Sequence, residues 1–155
     1  MDNLRPGQIV TLASGAATLV FSFLAFFKYD VPFGDDQTFS AWSRDLPLLP
    51  IATLPALIGL VVAGALAASI FGKVDLPAVL GFTTEQLLAA LSFIAALTMV
   101  GFLIMGGDGI DFGLGFWFML LGSIGLVVGT VMELLADGTT AGPGAGPANQ
   151  PPSPF

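Results

Sequence analysis

From Leu46 to Phe71 the chain reads LPLLPIATLPALIGLVVAGALAASIF, twenty-six residues without one charged side chain. About 20 helical residues suffice to cross the hydrocarbon core of a bilayer. A single Asp, Lys or Arg at the centre of such a helix carries a penalty of about 2.5–3.5 kcal/mol on an insertion scale, so a clean run of this length points to lipid as its solvent. Composition agrees. With 55% hydrophobic and 10% charged residues and a mean hydropathy of +0.90, the 155-residue chain has too few polar side chains to cover a water-soluble globule.

Three further runs have the same character. Gln8 to Phe27 is apolar after Pro6, too long for a signal-peptide core and followed by no small-residue cleavage site, so it reads as a retained span. Its first half is small (Ala13, Ser14, Ala16, Ala17, Thr18), which suits close helix contact, and its second half carries Phe21, Phe23, Phe26 and Phe27 for an interface. The third span runs over 85–105. Thr83 and Gln86 form a capping box at its start, and Glu85 in the first turn suits the positive end of a helix dipole. The fourth, over 112–135, opens on Phe112, Phe116, Trp117 and Phe118, on the side of Tyr29 and Trp42 if the spans alternate direction. The expected fold is therefore all-α: an antiparallel four-helix transmembrane bundle over 8–136 with spans at 8–27, 47–71, 85–105 and 112–135. It follows a short N-terminal segment, 1–7, and precedes a tail.

That tail, 137–155, holds five prolines and four glycines without apolar periodicity and reads as disordered. Its PPSP segment lacks flanking basic residues, so a solubilising role fits better than a polyproline ligand. The loop 28–46 is the longest hydrophilic connection, with Asp30, Asp35, Asp36 and Asp45 among Tyr29, Phe33, Phe39 and Trp42. Asp35, Asp36 and Trp42 are its candidate contacts. The acids lack EF-hand spacing, so they read as solvated, and Trp42 reads as an interfacial anchor. GGDGID, from Gly106 to Asp111, is a single copy and reads as a turn joining two antiparallel spans.

Packing signals are clearer than chemical ones. Gly59, Ala63 and Ala67 recur every four residues in the second span and form a small-residue ridge, while Pro55 removes a backbone donor and predicts a kink. In the fourth span Gly125 and Gly129 make a GxxxG pair with Gly122 one turn earlier; the pair serves either a sibling helix or self-association. Glu133 follows on the same face and is the one ionisable residue expected inside a span, either a functional acid or a side chain snorkelling to the headgroups past Asp137.

The excluded chemistry is extensive. With no Cys and no His, the chain holds no disulfide, thiolate nucleophile, His-ligated haem or Cys-ligated cluster, and no cofactor or metal is expected. Four basic residues against eleven acidic ones, net −7, leave no Lys/Arg cluster for nucleic acid or anionic headgroups. No carboxylate pair lies within a span, so no catalytic residue is assigned and no enzymatic activity is expected. The expected partners are the bilayer and other membrane proteins, or a second copy through the fourth span. The positive-inside rule ties, Arg5 and Lys73 against Lys28 and Arg44. The tail and the acidic first loop lead us to put the termini in the cytoplasm.

A first span, an acidic loop, the Leu46–Pro47 entry into a small-residue second span, a fourth span with aromatics at its entrance and Glu133 near its exit, and a Pro/Gly-rich tail together resemble a known layout. It is that of the small four-span integral membrane proteins of actinobacteria, including the antigenic-protein-homologue group. The resemblance implies an integral protein of an actinobacterial envelope acting beside secretion, cell-wall or respiratory machinery. An accessory, assembly or scaffold subunit is the leading expectation, with a small oligomeric transporter or channel component as the alternative.

Overall fold

The computed structural model describes residues 4–29, 37–44, 49–74, 81–105 and 111–140. In chain order these form α1 (Pro6–Phe21), β1 (Ala25–Tyr29), β2 (Gln37–Ser40), α2 (Leu49–Phe71), α3 (Thr84–Met105), β3 (Asp111–Phe112) and α4 (Leu114–Thr140). The four helices pack side by side with α1 between α2 and α4, and α3 closing the ring from the other side. Helices α2, α3 and α4 are each long and apolar enough to cross a membrane, whereas α1 is apolar but only 16 residues long, or about 24 Å. Only 33%, 28% and 39% of the residues in the three long apolar windows are buried inside the protein. The remaining apolar side chains face outward, as a lipid solvent requires.

The tightest seam joins α1 to α4. A Cβ on Gly122 would collide with Thr18 Oγ1, one on Gly125 with Ser14 Oγ, and one on Gly129 with Thr11 Oγ1. Hydroxyl side chains spaced three and four residues apart on α1 thus fill three glycine hollows of the same spacing on antiparallel α4. Thr11 and Thr18 are fully buried, yet neither hydroxyl is orphaned: Thr11 donates to Gly7 O at 2.9 Å and Thr18 to Ser14 O at 2.8 Å. Hydrogen bonding to a carbonyl of its own helix lets a hydroxyl enter an apolar seam without a partner across it. The opposite side of α1 meets α2 through Gly15, where a Cβ would lie 2.6 Å from Ala63 Cβ and 2.7 Å from Gly59 O. Gly59 and Ala63 thus lie against Gly15 of α1. Ala67, further along, is half-buried, and Gly64 faces open space.

Several expectations need correction. The fold is not all-α, because a three-stranded antiparallel sheet, order β2-β1-β3, caps one end of the bundle. The first span does not continue to Phe27; α1 ends at Phe21, and Ala25–Tyr29 is a strand. The aromatic sequence after Ser22 suits either structure, and tertiary contacts select the strand. Ser22 closes the helix and then serves as an anchor: its carbonyl accepts from Ala41 N–H at 3.2 Å, and its Oγ accepts from Trp42 Nε1–H at 2.8 Å. The register of β1 on β2 shifts between Ala25 and Phe27, leaving Phe26 as an extra residue. This bulge lets both Phe26 and Phe27 be buried, where a regular strand would send them to opposite faces.

Phe112, expected to open the fourth span, instead pairs with Phe27 in β3, and α4 begins at Leu114. At its other end α4 runs to Thr140, so its last turn takes up the first residues assigned to the tail; residues 141–155 lie outside the described residues. The third span starts one residue early, at Thr84, with the expected capping box formed: Thr83 N–H to Gln86 Oε1 at 3.1 Å and Gln86 N–H to Thr83 Oγ1 at 3.3 Å. Pro55 lies inside α2 and is fully buried.

The glycine hollows set a stability test. Gly122→Val and Gly129→Val should each destabilise the protein by about 2 kcal/mol or more, because the added atoms meet a helix that cannot recede. Gly101→Ala, at a position with nothing within 4 Å of the new Cβ, should leave stability unchanged or raise it. Thermal unfolding in detergent, followed by circular dichroism, checks the contrast.

Candidate functional site

The two ends of the bundle differ in kind. At the sheet end Phe26 is surrounded edge-on by Phe27, Phe102 and Phe116, with ring centroids 4.7, 5.4 and 5.3 Å away, and Phe112 stacks on Phe116 at 4.0 Å. These rings, with Ala41, Ala52, Ala56, Met99, Met119 and Leu120, form a continuous apolar plug. Trp42 clasps the hairpin from outside, stacked on Phe23 at 5.5 Å while its indole N–H is held by Ser22. This is the placement of an amphipathic anchor, apolar face inward and polar edge satisfied. Asp35 and Asp36, the other loop candidates, lie outside the described residues. Among the described residues no three acids converge where a metal ion could sit.

The opposite end, where α1 and α3 begin and α2 and α4 finish, holds a half-open cavity of about 530 Å³. Its wall carries four charged residues, Arg5, Lys73, Glu85 and Glu133, with the hydroxyls of Thr11, Ser69, Thr84 and Thr130. Each charge arrives there for a local reason. Arg5 is the residue before α1, where Pro6 starts the helix and the Gln8 side chain accepts Arg5 N–H at 3.1 Å. Lys73 follows the last turn of α2 in a left-handed conformation, φ 49°, which turns the chain back so that Val74 N–H reaches Ala68 O at 3.3 Å. Gly72 permits that turn, since a Cβ there would stand 2.7 Å from Ala68 O. Glu85 lies in the first turn of α3, and Glu133 one turn beyond Gly129 on the seam face of α4.

The half of α2 nearest the cavity is the less buried one. Ala52, Pro55, Ala56, Ile58, Gly59 and Val62 are buried, whereas from Ala63 to Val74 no residue of the chain is. Beneath the polar wall, Leu66 and Leu88 line the floor, and Leu88 packs on the cluster Ile58, Val62, Ala95 and Leu126.

Glu133 sits towards this end of the bundle, with its side chain turned against α1. Its side chain retains 12% exposure and lies against Gly7, where a Cβ would come 2.6 Å from Oε1. Its counter-charge is Arg5, Nη1 to Oε2 3.8 Å, with the guanidinium about half exposed. The carboxylate also faces the first turn of α1, where backbone N–H groups carry partial positive charge. Sequence reading identified Glu133 and its glycine face but missed Arg5, Lys73 and Thr130 as its neighbours. The available signal was the continuation of the small-residue pattern of α1 to Gly7, opposite the continuation of the glycine face to Glu133.

Gly122, Gly125 and Gly129 are occupied by α1 of the same chain. Self-association through α4 would accordingly use its outer residues, among them Leu121, Ile124 and Val128, which are exposed.

An Arg5→Gln, Glu133→Gln double-mutant cycle on unfolding free energy should give a coupling of about 0.2–1 kcal/mol, because one partner is well solvated. The coupling should shrink between low and high salt. A coupling of zero at low salt would mean that the two groups do not act on each other.

The chain matches no family model, no curated protein and no solved structure in comparison with each.

Proposed function

We propose that this chain is a four-crossing integral membrane subunit that helps assemble or scaffold a larger envelope complex through its helix faces. One observation carries the reading: among the described residues, the interior offers no polar path between the two ends. From the cavity floor to the sheet, the core consists of Val62, Ala95, Leu126, Met99, Met119, Phe116 and Phe26, all fully buried. The buried hydroxyls Ser92, Ser123 and Thr130 are each spent on a carbonyl of their own helix at 2.8 Å. A sealed bundle with an apolar exterior is suited to packing against other membrane helices and unsuited to conducting by itself.

Support for α1 as the fourth crossing comes from its seam. It follows α4 from Gly115, where a Cβ would meet Phe21 O at 2.9 Å, to Glu133 beside Gly7. A helix of 16 residues plus the turn at Ser22 thus accompanies an apolar window that is by itself long and apolar enough to cross. The similarity of layout to the small four-span actinobacterial proteins makes a bacterial plasma membrane the proposed location, with the termini in the cytoplasm.

A second reading, an oligomeric transporter, is favoured by the charged cavity with Glu133 in its wall. Because the core below that cavity is sealed, a route would have to run between chains.

Two measurements separate the readings. Mild extraction from the native membrane followed by native mass spectrometry should recover the chain inside a larger assembly of defined stoichiometry. The purified chain in liposomes should carry no ion flux above empty vesicles. Recovery as a bare homo-oligomer that conducts, with flux abolished by Glu133→Gln, would replace the first reading with the second.

A further inference from the structure

The cavity itself has a chemistry that a packing role does not require. Among the described residues its wall carries two cations and two anions, distributed over the four helices: Arg5 and Glu133 on the α1/α4 side, Lys73 and Glu85 on the α2/α3 side. A simple anion entering here meets Glu85 and Glu133, and a simple cation meets Arg5 and Lys73. A molecule carrying both signs a few bonds apart can satisfy both, each sign against its opposite. The N-terminus of α3 also points to this end and favours the anionic part, whereas that of α1 is already faced by Glu133. At about 530 Å³ the space accepts a small molecule or a lipid headgroup. Its level follows from the spans: α2 ends at Phe71 and α3 begins at Thr84, so the charged wall lies at the membrane surface, while Leu66 and Leu88 below face apolar carbon.

From these observations we propose that the cavity between the ends of α1, α2, α3 and α4 binds a zwitterion that joins an ammonium to a phosphate. This is the chemistry of an ethanolamine phospholipid headgroup and equally of free phosphoethanolamine. The phosphate is received by Lys73 and the α3 N-terminus, and the ammonium by Glu85 and Glu133. Arg5 holds Glu133 in place as its ion-pair partner. The site is independent of whether the chain joins a larger assembly, and it requires no path through the core.

The full-length protein in nanodiscs of equal parts phosphatidylethanolamine and phosphatidylglycerol provides the test, with retained lipid counted by native mass spectrometry. The expected result is one phosphatidylethanolamine retained per chain, about tenfold in preference to phosphatidylglycerol, the scale of one hydrogen-bonded charge contact. Lys73→Gln and Glu85→Gln should each reduce that retention about tenfold. Lys73 is exposed and Glu85 is half-buried, so neither substitution removes a packed core side chain; circular dichroism of each variant verifies the fold. Titration of phosphoethanolamine into protein held in phosphatidylglycerol alone separates the sources. Saturable binding there, without lipid retention in the mixed discs, assigns the site to the free solute. Equal retention of the two lipids, preference for phosphatidylglycerol, or retention and titration that both variants leave unchanged would overturn the proposal and leave the cavity as a hydrated vestibule only. Should either variant fail to fold, the comparison of the two lipids on the unaltered protein decides.

Discussion

The close approach of α1 to α4 is the constraint on which the rest of the structure depends. Lipid offers helices no hydrophobic gain for associating, so contact must come from atoms that fit. Here Thr11, Ser14 and Thr18 fill hollows left by Gly129, Gly125 and Gly122, and the fit is directional. It fixes both the antiparallel sense and the axial register of the two helices. With that register set, Gly7 stands beside Glu133 and Arg5 reaches its carboxylate, while Phe21 stacks on Phe118 at 4.4 Å near the opposite end. The same helix presents Gly15 to Gly59 and Ala63, so α1 positions α2 as well. A single short helix with small residues on two sides thereby determines where both ends of the bundle lie.

Those ends resolve the same physical problem in opposite ways. Where a helix stops near lipid, its free carbonyls and amides need partners. At one end the chain supplies them with a small sheet, pinned by Ser22 to Ala41 and Trp42, and the bulge at Phe26 fills the space beneath with aromatic rings. At the other end the partners are side chains at helix starts, Gln8 and the Thr83–Gln86 box, and the described residues leave a cavity between the helix ends. The outcome is a bundle closed at the sheet and open at the charged cavity. That polarity bears on both proposed readings of function.

Much of the architecture was legible in the residues. Long uncharged runs identify α2, α3 and α4 within one or two residues at most of their ends, because charge exclusion from lipid is severe. The capping box at Thr83 was readable because its partners are three residues apart, and the aromatic residues near Tyr29 and the start of α4 indeed share an end. What failed did so where local sequence allows two structures. Phe23 to Phe27 is apolar enough to extend α1 and aromatic enough to form a strand, and the decision came from Ala41, Trp42 and Phe112, distant in sequence. The small-residue ridge of α2 was half informative, since Gly59 and Ala63 touch α1 while Gly64 faces open space.

By itself, then, the sequence determined the solvent, the number and type of the helices and the faces on which small residues gather, since each of these rests on spacing within one segment and on the cost of placing charge in hydrocarbon. Only the tertiary structure decided which small face meets which, that a sheet closes one end, and that Arg5, Lys73, Glu85 and Glu133 surround one cavity. Those four residues belong to four different helix ends. Bringing them together depends on axial register, which is set by interlocking side chains across a seam and has no signature within any one stretch of chain.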